Sequence, residues 1–489
     1  MAKRTAIIDI GSNSARLVIF QETSKEGFHL VCEKKSKVRI GEGAYANNNN
    51  LQKKAMVRAY SALRSFSQTI DEYSVSKVIA VATSALRDAP NKSIFLNKVK
   101  KNLKIDIDII KGEEEALLGA IAAINLLPID NGITIDIGGG STDMSLIKKG
   151  EVVESYSLDL GTVRLKELFF DKNIHIDIVR KHISQALNNL PKSFSSRTVI
   201  GIGGTTRTLA KAIIKKTAYP LNKLHAFEYK SDEFHEFYEE IVSSKIDKLQ
   251  TYHIKENRYD TIREGTLIFL EIIKHIEAEN IITSGVGVRE GVYLKDKFPE
   301  KPYKIPYKSN PSIKSIKDRF DILSLPCGNK HNVAKELYVL FKDEFHYDEE
   351  YLAILKKVLD LSDIGKILTI YHKDRYASYI AMQELNYGFS HNDMVLISLL
   401  LYSKAKKGYH KEMYKQYKDL LPSKRTVILL SFIYTLTLVL HHSSTKAKYR
   451  FTLTNNTLLI KSNKTLYLAS ESINNMKKPN GLKVKIKEV

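Results

Sequence analysis

The chain has 489 residues, 43% of them hydrophobic and 27% charged, with a net charge of +21. That length suggests about three domains, each able to bury its own core, and the composition excludes a disordered or fibrous chain. Two cysteines some ~300 positions apart, Cys32 and Cys327, offer neither a metal spacing nor a disulfide framework, which points to a reducing, cytoplasmic setting.

From the N-terminus, the apolar run after MAKRT stops at Asp9 and Gly11, so it reads as a buried strand and not a signal peptide. Strands are predicted at Thr5–Ile10, Ala15–Gln21, Phe28–Lys35, Val78–Ala82 and Ile105–Ile110. Helices are predicted at Gln52–Tyr73, Lys92–Asn102 and Glu113–Leu126. The alternation implies an α/β domain over 1–125, and a second unit over 126–298 repeats the plan. Residues 299–311 hold four prolines and read as a linker. From 312 to 489 the pattern is mainly helical, with a strand-like tail at Tyr449–Thr454, Thr457–Lys461 and Leu482–Lys487. Val427–Leu440 is too short for the ~20 apolar residues of a membrane span and reads as a core helix, so no membrane partner is expected. Positive charge gathers at this end: residues 401–489 carry 18 Lys/Arg against 4 Asp/Glu. Such a region attracts polyanions by steering, but no nucleic-acid-binding module is recognisable, so no specific nucleic-acid partner is expected.

An internal repeat is the most informative feature. IIDIGSNSARLVIF at 7–20 aligns with TIDIGGGSTDMSLI at 134–147. Each copy reads strand, Asp, glycine-rich turn, strand, which implies two like domains with a cleft between them. Glycines admit close approach to the backbone, and successive N–H groups form an anion nest. Ser12 and Asn13 in one turn, and Gly138, Gly139, Gly140, Ser141 and Thr142 in the other, are the candidate phosphate ligands. Nothing in the turns is cationic, so the phosphate is expected to be held mostly by N–H and O–H groups. A carboxylate facing a phosphate needs an intervening cation, and Mg²⁺ favours one or two carboxylates with waters and phosphate oxygens. Asp9 and Asp136 are therefore the candidate metal-positioning residues, with Asp143 a third and Mn²⁺ an alternative ion. In ATSALRDAPN (82–91), Arg87 is a candidate phosphate ligand, since Arg reads phosphate bidentately. In KGEEEALLGAIAA (111–123), an acidic cluster opens a helix, where a carboxylate could act as general base toward water. Two further loops, IGIGGTTRT with Gly203, Gly204 and Thr205, and ITSGVGVREG with Gly285 and Gly287, are weaker candidates; Thr205 or Thr206 is expected to cap the helix after the first loop.

Together these motifs resemble the Ppx/GppA family of exopolyphosphatases and guanosine pentaphosphate phosphohydrolases. The matches run in family order over residues 5–295: DIGSNS, ATSALRDAPN, GEEEA, DIGGGST, GIGGT and SGVGVREG. The resemblance implies two tandem ribonuclease-H-like domains of the actin-like ATPase superfold with a central cleft, followed by an all-α HD-like domain. It implies Glu115 as the catalytic base, Asp9 and Asp136 as metal and water ligands, and Arg87 as a phosphate contact. Where the family often has Glu after GGGST, this chain has Asp143. In the C-terminal part, His331, LSDIGK (361–366), His372 and GFSHND (388–393) resemble an HD domain whose His–Asp pair is broken, Ser362–Asp363 standing in its place. That implies a non-catalytic, dimer-forming module, and hence a homodimer. The expected activity is Mg²⁺-assisted release of terminal phosphate from polyphosphate or guanosine pentaphosphate, the basic C-terminal region favouring the longer anion. A kinase of the same superfold and a non-catalytic sensor of the same ligands remain the alternatives.

Overall fold

The computed structural model describes residues 3–306, 309–321, 328–341, 349–443 and 446–488, so Cys327 lies outside the described residues. The chain separates into two compact units, Met1–Ser309 and Asn310–Val489.

The first unit contains two sheets built on one plan. Alternating apolar residues make β1 (Arg4–Ile10), β2 (Ala15–Glu22) and β3 (Phe28–Ser36) an antiparallel meander. Helix α1 (Lys53–Glu72) buries Ala55, Ala59, Leu63, Phe66 and Ile70, a stripe of helical period facing the sheet. After it come β4 (Lys77–Ala82), α2 (Ser84–Asp88), α3 (Lys92–Leu103), β5 (Ile107–Ile109) and α4 (Gly112–Leu126). Strand β4 joins β1 in parallel, and the sheet order is β3-β2-β1-β4-β5.

The second sheet opens the same way, with β6 (Gly132–Ile137), β7 (Thr142–Lys148) and β8 (Glu151–Leu158). Its remaining elements are α5 (Thr162–Leu168), α6 (Ile176–Leu187), β9 (Thr198–Ile202), α7 (Gly203–Lys216), β10 (Phe227–Lys230), α8 (His235–Ser243), α9 (Ile262–His275), β11 (Asn280–Thr283) and α10 (Val288–Lys297). The order is β10-β11-β9-β6-β7-β8. Strand β6 repeats the role of β1, antiparallel to β7 and parallel to β9. Helix α4 touches β7 and β8 on one side and α10 on the other, and so is apolar almost all round. The α4–α10 approach is close: a Cβ on Gly291 would stand 1.9 Å from the Leu118 carbonyl oxygen.

The second unit has helices α11 (Pro311–Phe320), α12 (Lys330–Leu340), α13 (Glu349–Asp360), α14 (Lys373–Glu384), α15 (His391–Leu401), α16 (Lys411–Gln416) and α17 (Lys424–Ser443). They are followed by β12 (Tyr449–Thr454), β13 (Thr457–Ser462), α18 (Tyr467–Asn474) and β14 (Lys483–Glu488), the strands forming one sheet in the order β12-β13-β14. The expectation of an all-α C-terminal domain is therefore corrected. The tail alternates inward and outward residues with period two: Leu458 and Ile460 of β13 are buried, and the inward residues of β12 are half-buried. Among the described residues α17 has the length and apolarity to cross a membrane, yet most of it is buried inside this unit. Asp363 is held by Lys366 at 3.0 Å and Lys373 at 2.9 Å, which pull its carboxyl down to about 2 against the opposing effect of burial.

Candidate active site

The site begins with two equivalent turns. Gly11 N–H donates to the Ser14 carbonyl at 3.1 Å, and Gly138 N–H to the Ser141 carbonyl at 2.9 Å. Each turn follows a strand whose penultimate residue is an aspartate, Asp9 or Asp136. The turns face one another. A Cβ on Gly139 would lie 2.8 Å from the Ser12 Cβ and 3.5 Å from the Asn13 nitrogen, so only glycine permits this approach. A cavity of about 900 Å³, mouth included, lies between them. Asp9, Ser12, Asn13, Asp136, Gly138, Gly139 and Ser141 are in its wall.

Helix starts supply much of the remaining wall. Helix α7 begins at Gly203, and Gly203, Gly204 and Thr205 line the cavity. Gly203 has φ +82°, and a Cβ there would stand 2.1 Å from Asp136 Oδ1, so both backbone and space demand glycine. Helix α10 begins beside the cavity at Val288 after Gly287, whose N–H is capped by Glu290 at 2.8 Å. Helix α4 begins at Gly112 and places Glu115 in the wall from its first turn. Unpaired N–H groups and the positive end of the dipole make such helix starts natural anion sites. Neither Thr205 nor Thr206 is a cap, correcting that expectation: both lie inside α7, where the Thr206 hydroxyl donates to the Ile202 carbonyl at 2.6 Å.

Five candidates stand outside the cavity wall: Arg87, Gly140, Thr142, Asp143 and Gly285. Arg87 stands behind the base candidate, with Nη1 3.5 Å from Glu115 Oε2 and 3.3 Å from the Ile110 carbonyl. Its guanidinium thus sits against Glu115 and outside the cavity wall. Asp88 is shared by two arginines, its Oδ1 3.8 Å from Arg87 Nε and its Oδ2 3.0 Å from Arg164 Nη2. Asp143 is buried, accepting from Ser157 Oγ at 2.5 Å and Ser141 Oγ at 3.3 Å. Each of its oxygens thus carries one protein hydroxyl. The Thr142 hydroxyl donates to the Leu160 carbonyl at 2.6 Å. Gly140 packs under Tyr45 and Ser84. The Gly285 N–H donates to His225 Nδ1 at 3.1 Å, away from the ligand space.

The cavity also holds cations that the motif reading did not single out: Arg16, Lys35, Arg207, Arg258 and Arg289. The expectation of a phosphate held mostly by N–H and O–H groups of the turns did not include these five cations. Arg207 and Arg289 lie within the GIGGTTRT and SGVGVREG motifs, and Arg16 within the first hairpin, so their positions were readable. Lys35 and Arg258 belong to no motif and are brought in only by the fold. Arg207 is fixed by the carbonyls of Ser284 at 2.7 Å and Val286 at 3.1 Å, and burial lowers it to about 10. Burial, with Arg16 and Arg258 nearby, lowers Lys35 to about 8. Burial opposes charge on Arg289, but Glu290, Asp9 and Glu33 outweigh it and hold its pKa up.

The acidic groups behave as one crowded set. Burial pushes Asp9 up to about 6, against the pull of Arg289 and Arg16. It raises Asp136 as well, opposed by Arg207, Arg16 and Arg289. Asp143 rises to about 7 through burial, the Ser157 bond opposing and Asp136 adding. Glu115 is raised well above the usual carboxylate range by burial, then by Asp143, Asp9 and Asp136, with Arg87 pulling back. Asp9 pairs across the strands with Arg16, whereas Asp136 pairs with Asp143, and like charges directly opposite are unfavourable.

With this geometry in view, the model of the Ppx/GppA phosphatase family matches residues 18–298, more than half the chain. The chain belongs to the Ppx/GppA phosphatase family. The bifunctional 3-dehydroquinate synthase/phosphatase of Fusobacterium nucleatum is 31% identical over 300 residues, covering 57% of this chain and 44% of that one. The chain thus spans less than half the length of that relative. The guanosine-5'-triphosphate,3'-diphosphate pyrophosphatase of Photobacterium profundum is 23% identical over 407 residues, covering 81% and 79%. The crystal structure of an exopolyphosphatase from Cytophaga hutchinsonii superposes with a TM-score of 0.57 at 26% identity, covering 61% of this chain and 99% of that one. The Aquifex aeolicus Ppx/GppA family member gives 0.52 at 26%, covering 62% and 99%.

Proposed function

We propose that this Ppx/GppA member hydrolyses the terminal phosphate of a polyphosphorylated substrate, inorganic polyphosphate or guanosine pentaphosphate. The observation that carries this is the pair of aspartate-led hairpins facing one cavity with Glu115 in its wall. Anhydride hydrolysis needs little covalent chemistry from the protein. Positioning and charge stabilisation dominate, and both are built in here. The N–H groups of the two turns and of the α7 and α10 starts receive the terminal phosphoryl oxygens. Arg16, Lys35, Arg207, Arg258 and Arg289 offset the remaining negative charge of the substrate.

Glu115 is the water-activating base, the one cavity carboxylate on a helix start with no strand aspartate's role to fill. Arg87 holds its carboxylate in place. The donor set fits a hard divalent cation such as Mg²⁺ at Asp9 and Asp136. Among the described residues no three His, Cys, Asp or Glu side chains gather as a protein-only cage, and Mg²⁺ prefers one or two carboxylates with waters and substrate oxygens. When bound, the ion would neutralise charge on the phosphate oxygens and lower the raised pKa values of the acidic set.

The test is phosphate release from both substrates, measured side by side for the full chain and for Glu115→Gln. The variant is expected to keep substrate affinity and lose ~10²–10⁴-fold in kcat, the range of general-base catalysis. Turnover by Glu115→Gln at the unmodified rate would remove the base from the scheme.

A further inference from the structure

The C-terminal sheet has one face in the core and one in solvent. Side chains alternate along each strand, so register decides which residues share the outer face. Arg450 pairs with Lys461, and Lys461 with Lys487, giving a row of three cations across all three strands. The next row ends on Lys485 and the one after on Lys483, both on β14. All five cations are exposed. The other residues of the face are Thr452, Thr454, Thr457 and Leu459, so it carries no acidic side chain and no aromatic ring. None of the five cations has an ion pair among the described residues.

Like charges directly opposite one another weaken a sheet. Lysines on β14 alone would need no ligand to explain them, because an edge strand is protected from stray pairing by charge. Lys461 is different. It sits on the central strand with a cation on either side, where edge protection does nothing. A self-repelling row kept in the middle of a sheet is what an anionic partner would relieve.

We propose that this face docks the sugar–phosphate rim of duplex nucleic acid, independently of base sequence. Binding of single strands relies on aromatic platforms for unstacked bases, and this face has none. A duplex keeps its bases stacked on each other and offers phosphates and sugars along its rim, which cations, threonine hydroxyls and one leucine suit. Successive lysines of β14 stand about 6.7 Å apart along the strand, close to the separation of neighbouring phosphates in one nucleic-acid strand. An inorganic polyphosphate carries charge on every second chain atom, and most of its charges would lie between these cations. The proposal does not depend on the hydrolytic activity proposed for the other unit.

The experiment is fluorescence-anisotropy titration of a short labelled duplex over a range of salt. Five neutralised phosphates give a slope of log K against log salt of about −4.5. The full chain with Lys461→Gln, Lys485→Gln and Lys487→Gln together should lose affinity and show a slope shallower by about 2.7. The single variant Arg450→Gln should flatten it by about 0.9, which keeps the test open should the triple variant misfold. Phosphate release by the variants should match that of the unmodified chain. Unchanged duplex binding in these variants would overturn the proposal. So would tighter binding of the single strand through the same residues, or variants that weaken direct polyphosphate binding and leave duplex binding intact.

Discussion

At the scale of single residues, the charge state of Glu115 governs the proposed chemistry. A base must be ionised to take a proton, and burial together with three neighbouring aspartates holds Glu115 protonated to higher pH than an ordinary glutamate. Because the folded pKa is raised, the active form is missing at low pH and appears as pH rises through that value. The acid limb of kcat/KM should therefore lie above the ordinary carboxylate range, and move down as Mg²⁺ is added. Asp143 is the largest electrostatic contributor after burial, and its own oxygens are already taken by Ser157 and Ser141. Asp143→Asn preserves the size of the side chain and removes the charge. It should shift the acid limb to lower pH. An acid limb that stays in place when Asp143 is neutralised would mean that another group titrates in that profile.

At the scale of elements, the two hairpins are held face to face by a small set of contacts from α5. Arg164 donates from Nε to the Gly140 carbonyl at 2.8 Å and pairs with Asp88 at 3.0 Å and Asp159 at 3.1 Å. Its guanidinium also lies over the Tyr45 ring at 4.9 Å, and the Tyr45 hydroxyl reaches Ser12 at 3.2 Å. Glu167, one turn on, accepts from the N–H groups of Gly43 at 2.9 Å and Ala46 at 3.2 Å. Arg164→Ala would leave the Gly140 carbonyl without this donor and loosen the approach of Gly139 to Ser12. Substrate KM should rise about tenfold, the worth of one or two such bonds, with a smaller change in kcat. An unchanged KM in steady-state phosphate release would show that the turns hold their places without α5. This latch was not legible in the sequence, because Arg164 and Tyr45 belong to no motif and meet only when two sheets pack. The hairpins themselves were legible, since a repeated Asp–Gly–hydroxyl string marks strand, turn and strand without tertiary information. Arg87 shows the limit of motif reading: its neighbourhood was located, but which of Glu115 and the ligand space it addresses depends on packing around Ile110.

At the scale of the whole molecule, chemistry and excess charge belong to different stretches of chain. The cavity wall comes wholly from residues 9–289, inside the unit that ends at Ser309. That unit has two sheets, two substantial cores and the helix starts that line the cavity. The Cytophaga hutchinsonii exopolyphosphatase chain is matched over 99% of its length by 61% of this chain. The second unit adds its own helices and sheet around a separate set of contacts. A chain ending at Ser309 should consequently fold and release phosphate from a short substrate with kcat close to that of the full chain. The same shortened chain should lose the part of polyanion binding that scales most steeply with salt, since the stretch from 401 onward carries a surplus of 14 positive charges. Circular dichroism and phosphate release at saturating substrate decide the first point, and titrations at two salt concentrations decide the second. A folded but inactive shortened chain would make the second unit part of the catalytic apparatus, which would contradict a site built from the first unit alone.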